Sequence, residues 1–223
     1  MNQNVQFADM LAERLTMYRF LARLYTSEAD AGLLDALKET PLNDGEDDAS
    51  EGFALMAGWL REPGTDDPVE ALAVDYAHTF LGAGIAEGLV AYPFESVYTS
   101  AGRLVMQDAW EDVCRYYREH GLGRADDTDT LEDQIGLECA FVAHLIGESQ
   151  KALEADDEKA LEASLMTQHE FIQKHLVNWV GRFAEDVKQT ALTDFYRGLA
   201  AVTADFIAAD AETMKAFADE AAA

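Results

Sequence analysis

Apolar side chains recur every three or four residues along most of this chain. Met10, Leu11, Leu15, Tyr18, Leu21, Leu24 and Tyr25 keep that spacing and fall on one face of an amphipathic first helix. Ser27 reads as the cap of a short second helix over Glu28 to Lys38, and Asn43-Asp-Gly45 marks the turn in the polar loop that follows. A third helix over 50–60 stops at Pro63-Gly64. Asp66 and Asp67 before Pro68 predict a capped start, with proline in the first turn, for a helix reaching about Phe80. A Gly-rich turn at 81–85 leads into an aromatic loop, a short helical piece near Ser96 and a longer helix over 103–120. Further helices are predicted at 131–154, 157–177, 178–189 and 191–219, with few credible strands. The expectation is an all-α, two-lobed helical bundle of about ten helices. Residues 121–130 hold two glycines and three aspartates. They read as a linker between an N-terminal lobe (1–120) and a C-terminal lobe (131–223).

Composition narrows the function. Forty-three acidic residues against 16 basic ones give a net charge of −27. That charge repels nucleic-acid phosphates and anionic lipid and favours encounter with a cationic peptide, besides keeping the chain in solution. Cys114 and Cys139 sit among apolar neighbours on predicted helices, which fits reduced thiols and not a disulfide framework. No basic stretch followed by an apolar core opens the sequence, and no apolar run reaches the ~18 residues of a membrane span. The expected location is the cytoplasm.

Candidate chemistry is sparse. The chain has no phosphate-binding loop and no dinucleotide fingerprint. His78, His120, His144, His169 and His175 include no pair at metal-chelating helical spacing. His169 and Glu170 are adjacent, so on a helix their side chains diverge by about 100°. No nucleophile motif surrounds Ser96, Ser100 or either cysteine. The reading is a non-enzyme with no catalytic residues, no metal and no cofactor.

One long pattern stands out. Asp75-Tyr-Ala-His-Thr-Phe-Leu-Gly-Ala-Gly84 followed by Tyr92-Pro-Phe-Glu-Ser-Val-Tyr98 resembles the heart of the TorD/DmsD family, cytoplasmic chaperones of molybdenum-containing oxidoreductases. Thr79 and Ala83 replace that family's usual Leu and Pro. Tyr116-Tyr-Arg-Glu-His-Gly-Leu122 is similar to its helix end before the hinge. In Thr130-Leu-Glu-Asp-Gln-Ile-Gly-Leu-Glu138, Asp133, Gly136 and Glu138 are kept, while Thr130, Leu131 and Gln134 stand for the hinge Glu, Pro and His. The segments 171–179 and 195–196 resemble the C-terminal lobe, so the likeness runs from about residue 8 to 210. It implies a chaperone that binds the apo-form of a molybdoenzyme's catalytic subunit, together with its twin-arginine signal peptide, assists cofactor insertion and delays export. Two alternatives stand beside it: a chaperone of a reductase subunit with no export signal, and, from another class, a small metal-dependent hydrolase. The chain would act as a monomer or as a lobe-swapped dimer, exchange being a property of hinge linkers. Gln134 cannot titrate near neutral pH as a histidine does, which removes a proton-dependent role from the hinge.

The residues picked out for peptide binding are Tyr76, Phe80, Tyr92, Pro93, Phe94, Glu95, Tyr98, Asp133, Gln134 and Glu138. Aromatic rings supply flat apolar area at low entropic cost, Pro93 stiffens the loop, and carboxylates pair with arginine. A second reading stays open for several of them. Tyr76 and Phe80, one helical turn apart, and Tyr98 fit a core equally well. Glu95 fits a helix cap or a partner for buried amides. Gly136 fits close helix packing, His144 and His175 fit hydrogen-bonded packing positions, and Trp179 fits the second lobe's core.

Overall fold

The computed structural model describes residues 3–40, 42, 50–83, 90–123 and 130–221. The described residues form an all-α fold of ten helices: α1 (Gln3–Thr26), α2 (Ala31–Glu39), α3 (Glu51–Arg61), α4 (Pro68–Phe80), α5 (Glu95–Thr99), α6 (Asp108–Glu119), α7 (Ile135–Glu154), α8 (Glu158–Phe171), α9 (Val180–Thr190) and α10 (Asp194–Ala221). A π-helical turn, Ile172–Leu176, follows α8. The turn expected at Asn43-Asp-Gly45 lies outside the described residues, as do positions 84 and 85 of the Gly-rich turn.

Two starts differ from the sequence expectation. α2 starts at Ala31 and not at Glu28, and its cap is Asp30, whose carboxylate accepts the Leu33 N–H at 2.9 Å, and not Ser27. The helix expected from residue 103 begins only at Asp108. Arg103 (φ 50°) and Met106 (φ 56°) take left-handed backbone, which no α-helix accommodates. Asp67 caps α4 as its sequence predicts, accepting the Glu70 N–H at 3.0 Å, with Pro68 in the first turn.

The chain divides into two compact units, each assembled from separated stretches: residues 1–26, 94–179 and 207–223, and residues 27–93 and 180–206. The consecutive division at 121–130 stays a proposal, and residues 124–129 of that segment lie outside the described residues.

In the first unit α1 packs along α7. Leu11, Tyr18, Leu21 and Leu24 of α1 are buried, as are Ile135, Val142, Leu145 and Ile146 of α7. The helices approach closely at Gly136, where a Cβ would lie 2.7 Å from Thr26 Cγ2 and 3.0 Å from the Ala22 carbonyl. An ion pair is buried beside this face. Arg14 donates to Asp210 through Nε (2.5 Å) and Nη2 (3.0 Å) and to Gln168 through Nη1 (2.8 Å), and Tyr18 donates to Asp210 at 2.7 Å.

In the second unit the core is aromatic. Tyr76 and Phe80 of α4 meet edge to face at 5.2 Å, and both rings lie against Tyr196. Phe80 also meets Phe183, and Trp59 meets Phe195. Asp75, fully buried, accepts from the Leu192 and Thr193 amides (2.9 and 2.8 Å) and from the hydroxyls of Thr193 and Thr79 (2.6 and 2.9 Å). This one carboxylate therefore fixes the turn between α9 and α10.

Candidate functional site

The short helix α5 and the residues before α7 form one polar node in the first unit. Phe94 and Gln134 pair through an isolated antiparallel bridge. The Glu95 amide donates to the Asp133 carbonyl at 2.9 Å, and the Asp133 carboxylate accepts the Ser96 N–H at 2.9 Å, so Asp133 caps α5 from a distant segment. Gln134 caps α7: its Oε1 accepts the Gly136 and Leu137 amides at 2.6 and 3.1 Å, while its Nε2 donates to the Tyr25 carbonyl at 2.5 Å. A glutamine does here what Ser or Asp does at most helix starts, and it ties the C-terminal end of α1 to the start of α7.

Glu95 is 2% exposed and turns inward. One of its oxygens lies 2.8 Å from His175 Nδ1, and the other accepts from Asn178 Nδ2 at 3.0 Å. The opposite ring nitrogen of His175 is 3.1 Å from Asp112 Oδ2. Each imidazole nitrogen thus faces a carboxylate, and only a doubly protonated ring donates to both. Lys174 and Arg115 also ion-pair with Asp112. Partial burial pushes the Asp112 carboxyl up, but the bonds from Lys174 and Arg115 outweigh it and hold the group below its ordinary range. Glu138 lies fully buried behind this chain, and neither of its oxygens reaches a partner with hydrogen-bond geometry, although Glu95 and Trp179 are close. Burial drives its carboxyl well above the ordinary range, and the charges of Glu95 and Asp133 add to that. Burial likewise raises Asp133, against the bonds from Ser96.

Above the node lies a cleft of about 650 Å³ lined by Glu95, Gln107, Asp108, Asp112, Lys174 and His175, among others. A second hollow of about 770 Å³ opens along the other side of α6, past Trp110, Cys114 and Glu132. Burial, with the charge of Glu132 adding, pushes the Cys114 thiol up to about 11, and full burial holds the Cys139 thiol well above its ordinary range. Both thiols are therefore protonated and poor nucleophiles near neutral pH. Among the described residues no group of three or more His, Cys, Asp or Glu is set to hold a metal ion.

Six of the ten residues singled out by sequence meet in the first unit. They are Phe94, Glu95, Tyr98, Asp133, Gln134 and Glu138, all buried except Phe94, which keeps partial exposure. Tyr98 stacks on Trp179 (5.4 Å, 30°) with the Arg103 guanidinium 5.0 Å from its ring centre. Tyr76, Phe80, Tyr92 and Pro93 belong to the second unit, where Tyr92 alone is partly exposed. Sequence reasoning gave no role at this node to Asp112, Lys174, His175 or Asn178. His175 and Asn178 do sit three residues apart, the spacing that puts two side chains on one helical face.

A family profile described as nitrate reductase delta subunit matches residues 43–185. The chain is 24% identical over 215 residues to the chaperone protein TorD of Shewanella pealeana, covering 91% of this chain and 90% of that protein. It is 27% identical over 190 residues to the chaperone protein TorD of Vibrio cholerae (85% and 80%) and 26% over 221 residues to that of Shewanella loihica (91% and 93%).

Proposed function

We propose that this chain, which belongs to the nitrate reductase delta subunit family and to the TorD/DmsD chaperones within it, recognises a basic, apolar segment of the enzyme it serves. Where that enzyme is exported, the segment is its twin-arginine signal peptide. The chain is a chaperone of molybdoenzyme maturation, its partner is a reductase subunit, and it is not an enzyme. Among the described residues no helix is long and apolar enough to cross a membrane. The chaperone acts in the cytoplasm, holding the apo-subunit for cofactor insertion and delaying its export.

The observation that carries the finer reading is the cleft beside α6. It is rimmed by Asp108 and Asp112, and it belongs to a chain with a net charge of −27. Asp112 is already paired with Lys174 and Arg115, so a guanidinium entering the cleft meets the carboxylate of Asp108, on a wall whose geometry is fixed by buried hydrogen bonds. Glu95, Asp133 and Gln134 act from beneath, holding α5 and the start of α7 in place. Phe94, in the same unit, retains partial surface for direct apolar contact.

Calorimetry against a synthetic twin-arginine signal peptide, and against the same peptide with both arginines changed to glutamine, tests this at two ionic strengths. Micromolar binding that weakens with salt and disappears with the arginines supports the reading. A second reading is favoured by the description of the matching family and by Gln134 at the hinge position: the client is a reductase subunit with no export signal. Absence of peptide binding, together with a stable complex with the mature apo-subunit, would establish that reading instead.

A further inference from the structure

Most exposed large apolar side chains of the described residues stand singly: Val5, Val74, Leu81, Val177 and Leu192. Scattered apolar residues of this kind are ordinary on any protein surface. Leu104, Val105 and Met106 are different, being consecutive and 58, 43 and 50% exposed. A run of three exposed apolar residues does nothing for folding and is found where a surface has a job.

The run is also held rigidly. Ser100 Oγ accepts the Leu104 amide at 3.0 Å and lies 3.3 Å from the Leu104 carbonyl. The Gln107 side chain donates to the Val105 and Met106 carbonyls at 2.9 and 3.2 Å, and its amide reaches Ser96 Oγ at 3.2 Å. Arg103 and Met106 are kept at φ 50° and 56°, a conformation that persists only when its surroundings impose it. The tip is therefore displayed on a set frame, which lowers the ordering cost of binding. Its two ends reach the cleft: Ser100, Ala101, Gln107 and Asp108 line it. Asp112 there is already paired with Lys174 and Arg115, whereas Asp108 is exposed and makes no ion pair among the described residues.

We propose that residues 101–107 are a docking ridge, on which Leu104, Val105 and Met106 take apolar side chains of the client segment while Asp108 takes a cationic one. This rests on the peptide-binding reading above and gives it a place. Charge selects the occupant. An anionic membrane or a nucleic acid would be repelled by a chain of net charge −27, and a second copy would bring the same charge against it. A segment with arginine beside an apolar stretch matches both halves of the surface.

The test uses the full chain and three probes: a peptide with two adjacent arginines followed by six apolar residues, the same peptide with the six replaced by serine, and the same peptide with both arginines replaced by glutamine. The Leu104→Ser/Met106→Ser double variant and, separately, Val105→Asp change only exposed side chains, and circular dichroism checks that both stay folded. Each variant is expected to bind the intact probe about tenfold more weakly than the natural chain, the loss typical of a central apolar contact. The natural chain and both variants are expected to bind the serine probe equally weakly. Asp108→Asn is expected to weaken the intact probe and leave the glutamine probe unchanged. Equal binding of the intact probe by the natural chain and both ridge variants would overturn the ridge and leave peptide binding standing. No binding of the intact probe by the natural chain would overturn both.

Discussion

Glu138 is the residue whose burial has the most direct energetic consequence. Its carboxyl is fully buried without a hydrogen bond of good geometry, and burial, then Glu95 and Asp133, push its proton affinity up. Below the ordinary glutamate range, about pH 4, the folded and unfolded chains both carry this proton. As pH rises through that range, the unfolded chain releases it and the folded chain keeps it. The folded state then binds more protons, so stability falls with rising pH. Glu138→Gln keeps the shape and removes the titration. The variant is predicted to melt at least about 2–4 °C above the natural chain at pH 7, the shift 1 kcal/mol produces in a protein of this size, and to match it near pH 4. Thermal melts followed by circular dichroism across that range check the sign. Equal melting at every pH would mean that Glu138 titrates alike in both states.

At the scale of elements, the start of α7 joins local and distant structure. Gln134 caps that helix and also holds the Tyr25 carbonyl of α1, and Gly136 lets the two helices touch. Gln134→Ala removes a cap and the hydrogen bond that Nε2 gives the Tyr25 carbonyl. A cost of about 1–3 kcal/mol is predicted, with faster hydrogen exchange in the first turn of α7. Urea titration gives the energy and native-state exchange gives the location. Much of this layout is legible in the sequence. Periodicity, caps and turn signals together placed the ten helices of the described residues, since burying one apolar stripe is what the spacing of the longer ones encodes. The Asp67-Pro68 start is legible because a cap is a local interaction. The delayed start of α6 is not, because nothing in the residue types of Arg103 or Met106 announces a left-handed backbone. The polar node is half legible. Glu95, Asp133 and Glu138 are visible through the family pattern, but the partner that turns Glu95 inward is His175, 80 positions away. Asp210 pairs with Arg14 across 196 positions. Arg14 left one local sign, since it lies four residues from both Met10 and Tyr18, on the apolar stripe of α1.

For the whole molecule, the excess of acidic residues acts on stability and on binding with opposite signs. A net charge of −27 repels itself, which works against the compact state. The same charge favours encounter with any cationic segment, such as the one proposed above. The Debye length is about 30 Å at 0.01 M salt and about 8 Å at 0.15 M, so this change of salt screens most of the long-range repulsion between exposed acids. The buried contacts of Glu95, Asp75 and Asp210 are screened far less. Raising salt over that interval is therefore predicted to raise the melting temperature by a few degrees while weakening the arginine-containing probe by about tenfold or more, mainly through slower association. Melts and stopped-flow binding on one preparation measure both. If melting and binding moved in the same direction, long-range charge would not be the common cause. Binding insensitive to salt would put the recognition energy in the apolar ridge and leave Asp108 a minor part of it.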